Sequence, residues 1–282
     1  MPAHALPPAA GQAPSCPAPA ASPAVRDPGP PALPLRREIV PTEGIAARVA
    51  AALPEGSALT VTCLPHHGME PTAETSVRLA DLGYRVVPHL AARSIVDRAR
   101  LARALREFAS AGITEVFAVS GDAAQPAGPY ADSTSLLEDI ADLSGGAFAA
   151  GVAGYPEGHP QRSGPELLDA LLAKQHLAAS VATQMCFSAA AITDYAALLR
   201  AEGIRLPVWA GVPGAVPRAR LVALAAKIGV GPSLAFITRK GPLARRLLGS
   251  GGVYSPEGLV RSLETSPAGL AGIHLFTFNS FG

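Results

Sequence analysis

Eight short apolar runs recur along the chain, each ending in glycine and polar residues and most leading into a stretch with helical spacing. Buried strands alternating with amphipathic helices restrict a chain to parallel-sheet α/β architectures, because parallel neighbours must be joined by a crossover. Eight such units favour a closed (β/α)₈ TIM-type barrel over an open sheet, with functional groups gathered at one rim. The length of 282 residues suits one such barrel, which typically needs roughly 250.

The first unit reads as a strand from Arg36 to Val40 and a helix from Glu43 to Leu53, with Thr42 as its N-cap. Strands are expected at Ala58 to Thr62, Arg85 to Pro88, Glu115 to Val119, Phe148 to Val152, Ser180 to Thr183, Pro207 to Ala210 and Gly272 to Phe276. Helices are expected between them at Pro71 to Leu82, Ile95 to Ala111, Ser133 to Leu143, Glu166 to Ala179, Ala189 to Ala201 and Arg218 to Ile228. Further helical pieces run from Leu234 to Leu248 and from Pro256 to Leu263. Gly83 and Gly112 fall where helix C-caps belong. No helix is readable after the eighth strand, so the barrel must close in another way, with the segment between strands seven and eight as one source of the missing helix.

Residues 1–34 are rich in Pro and Ala and poor in large apolar side chains, so they are expected to form a disordered tail before a single catalytic domain at 35–282. A hydrophobic fraction of 49% with 16% charged residues supports a core without staples. The net charge of +1 argues against nucleic acid or an anionic membrane and for a small-molecule partner. Three dispersed cysteines, no apolar run of roughly 20 residues and no basic-then-apolar leader point to a cytoplasmic protein. Nothing in the sequence chooses between a monomer and a homo-oligomer.

Barrel chemistry collects at the C-terminal ends of strands, and here that rim is polar. It carries Glu38, Thr62, His89, Ser120-Gly121-Asp122, Tyr155, Glu157 and His159, Thr183-Gln184, Gly211, Thr277 and Asn279. Alternation in Glu38-Ile39-Val40 turns Glu38 into the barrel, where desolvation would raise its pKa and suit it to general acid work. A surface glutamate, or a partner of Arg36 or Arg37, is the blander role. Asp122 is read either as an acceptor for a ligand or as a turn former, and Gln184 as the partner of an amide-bearing heterocycle or as a satisfied core amide. Trp209, Phe276 and Phe278 are read as stacking partners for a ring or as packing. His66, His67 and His89 with Cys63 and Cys186 lack standard metal spacing, and no metal is expected.

These residues resemble the methylenetetrahydrofolate reductase family over about Arg37 to Asn279. Glu38-Ile39-Val40-Pro41 is similar to the family's Phe-Glu-Phe-Phe-Pro, and Ser120-Gly121-Asp122 to its Arg-Gly-Asp. Gly154 to Pro160 is similar to its Ala-Tyr-Pro-Glu-x-His-Pro, Thr183-Gln184 with Phe187 to its Thr-Gln-x-x-Phe, and Ile273 to Asn279 to its His-Phe-Tyr-Thr-Leu-Asn. The resemblance implies reduction of 5,10-methylenetetrahydrofolate to 5-methyltetrahydrofolate, with NADH or NADPH as hydride source and FAD as carrier. It implies Glu38 as the acid toward N10, Asp122 at the pterin, and Gln184 and Phe278 at the folate. The flavin contacts it implies are Thr62, His89, Ser120, Gly121, Asp122, Tyr130, Ala131, Tyr155, His159 and Lys174. Two departures stand out: Thr62-Cys63-Leu64-Pro65 replaces the family's Thr-Tyr-Gly-Ala, and Ser120 replaces an arginine expected near FAD phosphates. A further apolar ring contact expected after strand seven falls near Arg218. The resemblance leaves open a flavin-free member with direct hydride transfer, and the opposite direction of the same reaction. A metal-dependent barrel hydrolase and a non-catalytic folate or flavin binder are the readings from other classes.

Overall fold

The computed structural model describes residues 32–64, 67–217 and 253–281. Ala32–Gly282 make one compact unit. Within it eight parallel strands close on one another in chain order: β1 Leu35–Ile39, β2 Ala58–Val61, β3 Arg85–Ala91, β4 Glu115–Val119, β5 Ala149–Gly154, β6 Ser180–Thr183, β7 Val208–Pro213 and β8 Gly272–Phe276. Among the described residues the helices are α1 Ile45–Ala52, α2 Glu70–Asp81, α3 Arg98–Ser110, α4 Ser133–Ser144, α5 Gly164–Lys174, α6 Ala189–Ala201 and α7 Glu257–Glu264. The fold is the (β/α)₈ barrel read from the sequence. The tail at 1–31, and the helices expected at Arg218 to Ile228 and Leu234 to Leu248, lie outside the described residues.

Alternation along each strand sends one set of side chains outward to the helices and the other into the barrel. The outward set is apolar and fully covered: Ile39, Leu59, Val61, Leu90, Val116, Val152, Val181 and Ala210 are all buried. Covering one Leu or Ile is worth about 1.5–3 kcal/mol, so this outer layer carries most of the sheet-to-helix stability. Register places Glu38 opposite Thr60 on β2 and opposite Phe276 on β8, while Arg36 lies opposite His274. The inward set is therefore unusual for such a barrel, which is commonly filled by Val, Ile and Leu. Here it includes Arg36, Glu38, Thr60, His89, Glu115, Phe117, Trp209 and His274.

Helix starts are well specified. Asp97, Asp132, Ser163 and Ser188 cap α3, α4, α5 and α6, and Ser163 forms a capping box with Glu166, each cap being worth about 1 kcal/mol. Thr42 does not cap α1. The N-cap is Gly44, in a left-handed conformation at φ 70° and without a side-chain cap bond, and the Thr42 carbonyl instead accepts from Ile45 N. Gly83 and Gly112 do take positive φ after α2 and α3.

Closure is achieved without a helix after β8 among the described residues. Helix α7 precedes β8 and buries Leu263 in a cluster with Ile192 of α6, Ala210 and Val212 of β7 and Ile273 of β8. After β8, Asn279 latches onto β1: its Oδ1 accepts from Val40 N at 2.8 Å and its Nδ2 donates to Val40 O at 2.9 Å. Thr277 Oγ1 donates to Glu38 O at 2.6 Å. These bonds seal the β8–β1 seam beside Glu38. Among the described residues no helix is long and apolar enough to cross a membrane.

Candidate active site

Glu38 points into the barrel with its side chain 13% exposed, so the surface reading does not hold. Neither does a partnership with Arg36, which donates to Glu115 at 2.6 Å and stacks 3.8 Å over Trp209 at the N-terminal end of the barrel. That group borders a cavity of about 390 Å³ at the end opposite the strand C-termini. Trp209 is thus part of the barrel's floor, not a ring-stacking partner at the rim.

Glu38 instead meets two imidazoles. His274 Nε2 lies 2.8 Å from Oε2, within hydrogen-bond reach, and His89 Nε2 lies 3.9 Å from the same oxygen. Phe117 packs against His89 at 4.8 Å and Phe276 against His274 at 4.9 Å between ring centroids. Burial pushes the His89 imidazole down to about 4, the neighbouring Glu38 charge working against that and His274 with it. His89 is accordingly neutral at neutral pH. The three ligand atoms lie within 4.8 Å of one another. Within the group only the His274–Glu38 pair is at hydrogen-bond distance; His89 Nε2 stands beyond it.

His89 is a residue that the sequence places at this rim, whereas His274 is added by the structure. Its signal was the two-residue alternation in Gly272-Ile273-His274-Leu275-Phe276, which turns His274 inward once Ile273 is buried outward.

The remaining candidate residues fall into two groups. Thr62 Oγ1, Thr60 Oγ1 and His89 Nε2 are buried and, among the described residues, have no hydrogen-bond partner. Buried polar atoms are normally paired, so three orphans on adjacent strands next to Glu38 fit contact with a polar ring. Tyr155 sits at the end of β5 with its ring edge-on to His159 at 5.1 Å. Its phenol is held up by burial and by the charge of the exposed Asp122, with Arg162 opposing. Gln184 sits after β6, and its Oε1 accepts from Met185 N at 2.8 Å. Phe278 packs against a hydrophobic cluster of Met185, Val216 and Tyr254, together with Phe187 and Phe276.

The second group is committed to internal contacts. Tyr130 is buried and donates to Asp139 at 2.6 Å, fastening α4 rather than presenting its hydroxyl. Ser120 Oγ accepts from Ser133 N at 3.3 Å, and Lys174 Nζ donates to Ser133 Oγ at 3.0 Å. Burial lowers the Lys174 ammonium, Asp132 opposing. Asp132 occupies the first amides of α4, accepting from Thr134 N and Ser135 N. Arg93 holds the segment from Gly121 to Ala131, donating to the carbonyls of Ala123, Ala124 and Ala131. Cys63 and Cys186 form no disulfide with each other and, among the described residues, are not part of the Glu38–His89–His274 group, while His66 and Arg218 lie outside the described residues.

The sequence family described as methylenetetrahydrofolate reductase matches residues 45–221. That stretch contains Asp122, Tyr155 and Gln184 but neither Glu38 nor His274, which closure of the barrel brings beside it. A solved structure of wild-type sialic acid aldolase from Ruminococcus gnavus is similar at a TM-score of 0.45 and 10% identity, over 88% of this chain and 69% of that one.

Proposed function

The chain belongs to the methylenetetrahydrofolate reductase family, a family of folate oxidoreductases, and we propose that it interconverts 5,10-methylenetetrahydrofolate and 5-methyltetrahydrofolate with a nicotinamide nucleotide as redox partner. The observation that carries this reading is Glu38, a nearly buried carboxyl on the C-terminal side of the barrel, held by His274 and beside a neutral His89. A neutral neighbour matters, because an imidazolium at that distance would favour the ionised carboxylate. Glu38 delivers its proton to N10, the bond between N10 and the methylene carbon breaks with its electron pair left on N10, and an iminium forms at N5. Hydride from the reduced nicotinamide then completes the methyl group. Asp122 stabilises the cationic pterin, and Gln184 donates to an acceptor on the same ring system.

FAD, where bound, supplies a two-electron relay between nicotinamide and folate. Thr62, His89 and Tyr155 would hold its ring, and the orphaned polar atoms of Thr62 and His89 support that placement. Among the described residues the diphosphate end is less well provided than the ring end. Ser120 brings no charge, the α4 amides are occupied by Asp132, and Arg93 donates to three carbonyls, which leaves Lys174 with the charge of Arg162 acting on it. The uncharged Ser120 at the place of the family's arginine supports, as the second reading, direct hydride transfer from the nicotinamide across the same ring site.

Both readings require Glu38. Glu38→Gln should lower turnover of methylenetetrahydrofolate by roughly 10²- to 10⁴-fold, the usual contribution of general acid catalysis. Wild-type rates in a folded variant would end the assignment. Absorbance near 450 nm in the purified protein, with FAD released on denaturation, separates the first reading from the second; colourless protein that turns over with NADH or NADPH establishes direct transfer.

A further inference from the structure

His274 is 3% exposed and sits one strand away from Glu38, yet none of the chemistry above uses it beyond contact. Its position is set by the barrel itself: β8 pairs with β1, and inward alternation puts the imidazole under the carboxyl at 2.8 Å. Among the described residues His89 faces this pair from the neighbouring wall, the rings of Phe117 and Phe276 pack beside the imidazoles, and Arg36, the register partner of His274, is held by Glu115. Both imidazoles approach Oε2, which leaves Oε1 as the oxygen free of them.

We propose that His274 is the positioning residue of the Glu38 acid: its Nε2–H holds Oε2, presents Oε1 to N10 of the folate, and stabilises the carboxylate that remains. This inference rests on the role of Glu38 given above. One proton moves. The O–H bond at Oε1 breaks, an N–H bond forms at N10, and the negative charge left on Glu38 is shared with Oε2, where the His274 donor is already in place. Among apolar rings such a donor meets little competition from water, and a hydrogen bond to a charged acceptor is about twice as strong as one between neutral groups. Because the bond strengthens as charge develops, it assists the transition state more than the ground state.

Substitutions at His274 in two backgrounds test this. His274→Leu removes the donor and should lower kcat about 10- to 100-fold, the range for a lost hydrogen bond to a charged group, while KM for the folate stays within about threefold. His274→Gln keeps a donor at similar reach and should recover most of that loss. In the Glu38→Gln background, His274→Leu should have no further effect on the residual rate, since there is no developing carboxylate to stabilise. Equal losses in both backgrounds, or wild-type kcat in a folded His274→Leu protein, would overturn the proposal. Should the leucine variant not fold, His274→Met removes the donor in a more adaptable side chain and is read the same way. Full activity of Glu38→Gln alone would instead refute the role of Glu38, a result distinguishable from failure of His274.

Discussion

Acidification should destabilise this protein through His89 in particular. The imidazole is pushed down to about 4 in the folded barrel, with burial as the main cause, whereas an unfolded chain would protonate it near 6.5. As pH falls below about 6.5 the unfolded chain therefore takes up a proton that the folded one refuses, and folding loses free energy. The penalty is absent above that range, grows as pH falls through about 4, and levels off below it. Integration over the two titrations yields about 2 kcal/mol lost between pH 7 and pH 5, and about 3 kcal/mol by pH 4. Urea unfolding at pH 7 and pH 5, on the wild type and on His89→Gln, isolates this contribution because the other titrating groups are common to both proteins. The wild type should lose about 2 kcal/mol more than the variant. Equal losses would mean that His89 titrates normally in the folded state and that solvent or a counter-charge reaches it.

Two further substitutions probe the barrel around the site. At Gly211 a Cβ would lie 2.2 Å from the carbonyl oxygen of Thr183 and 2.8 Å from that of Gln184. Backbone of β6 cannot swing aside as a side chain would, so Gly211→Ala should cost about 3 kcal/mol in thermal or urea unfolding, and a neutral result would refute the close approach of β6 and β7. Asn279→Ala removes both hydrogen bonds to Val40. It should cost about 2 kcal/mol and speed amide exchange in β1 and β8 over the rest of the barrel; unchanged exchange at β1 would show that the seam closes without this latch.

Much of the fold was legible because two periodicities are written directly into the chain. Glu115–Val119, Ser180–Thr183 and Gly272–Phe276 match their expected strands, and Ala189–Ala201 its expected helix. These segments combine an unambiguous apolar pattern with a turn or cap at the boundary, so tertiary contacts had little left to decide. Thr42 shows the opposite case. A threonine before a helical pattern is a good cap by type, but the chain turns through Gly44 and the helix starts later. The inward direction of Glu38 followed from alternation alone. Tyr130 could be listed as a rim residue by resemblance, yet its hydroxyl is committed to Asp139, which lies on the helix that follows.

Eight alternating units, an acid on the first strand and a family signature on the fourth, fifth and sixth were properties of the sequence by itself, because local periodicity and motif spacing need no third dimension. The partners of that acid were not. Glu38 and His274 are separated by 236 positions and meet because the last strand closes on the first. Whether Arg36 or a histidine would face the carboxyl depended on strand register: Arg36 is two residues nearer the floor, where Glu115 and Trp209 claim it. Barrel closure and register are collective outcomes of all eight pairings, and they alone decided which charges in this chain lie side by side.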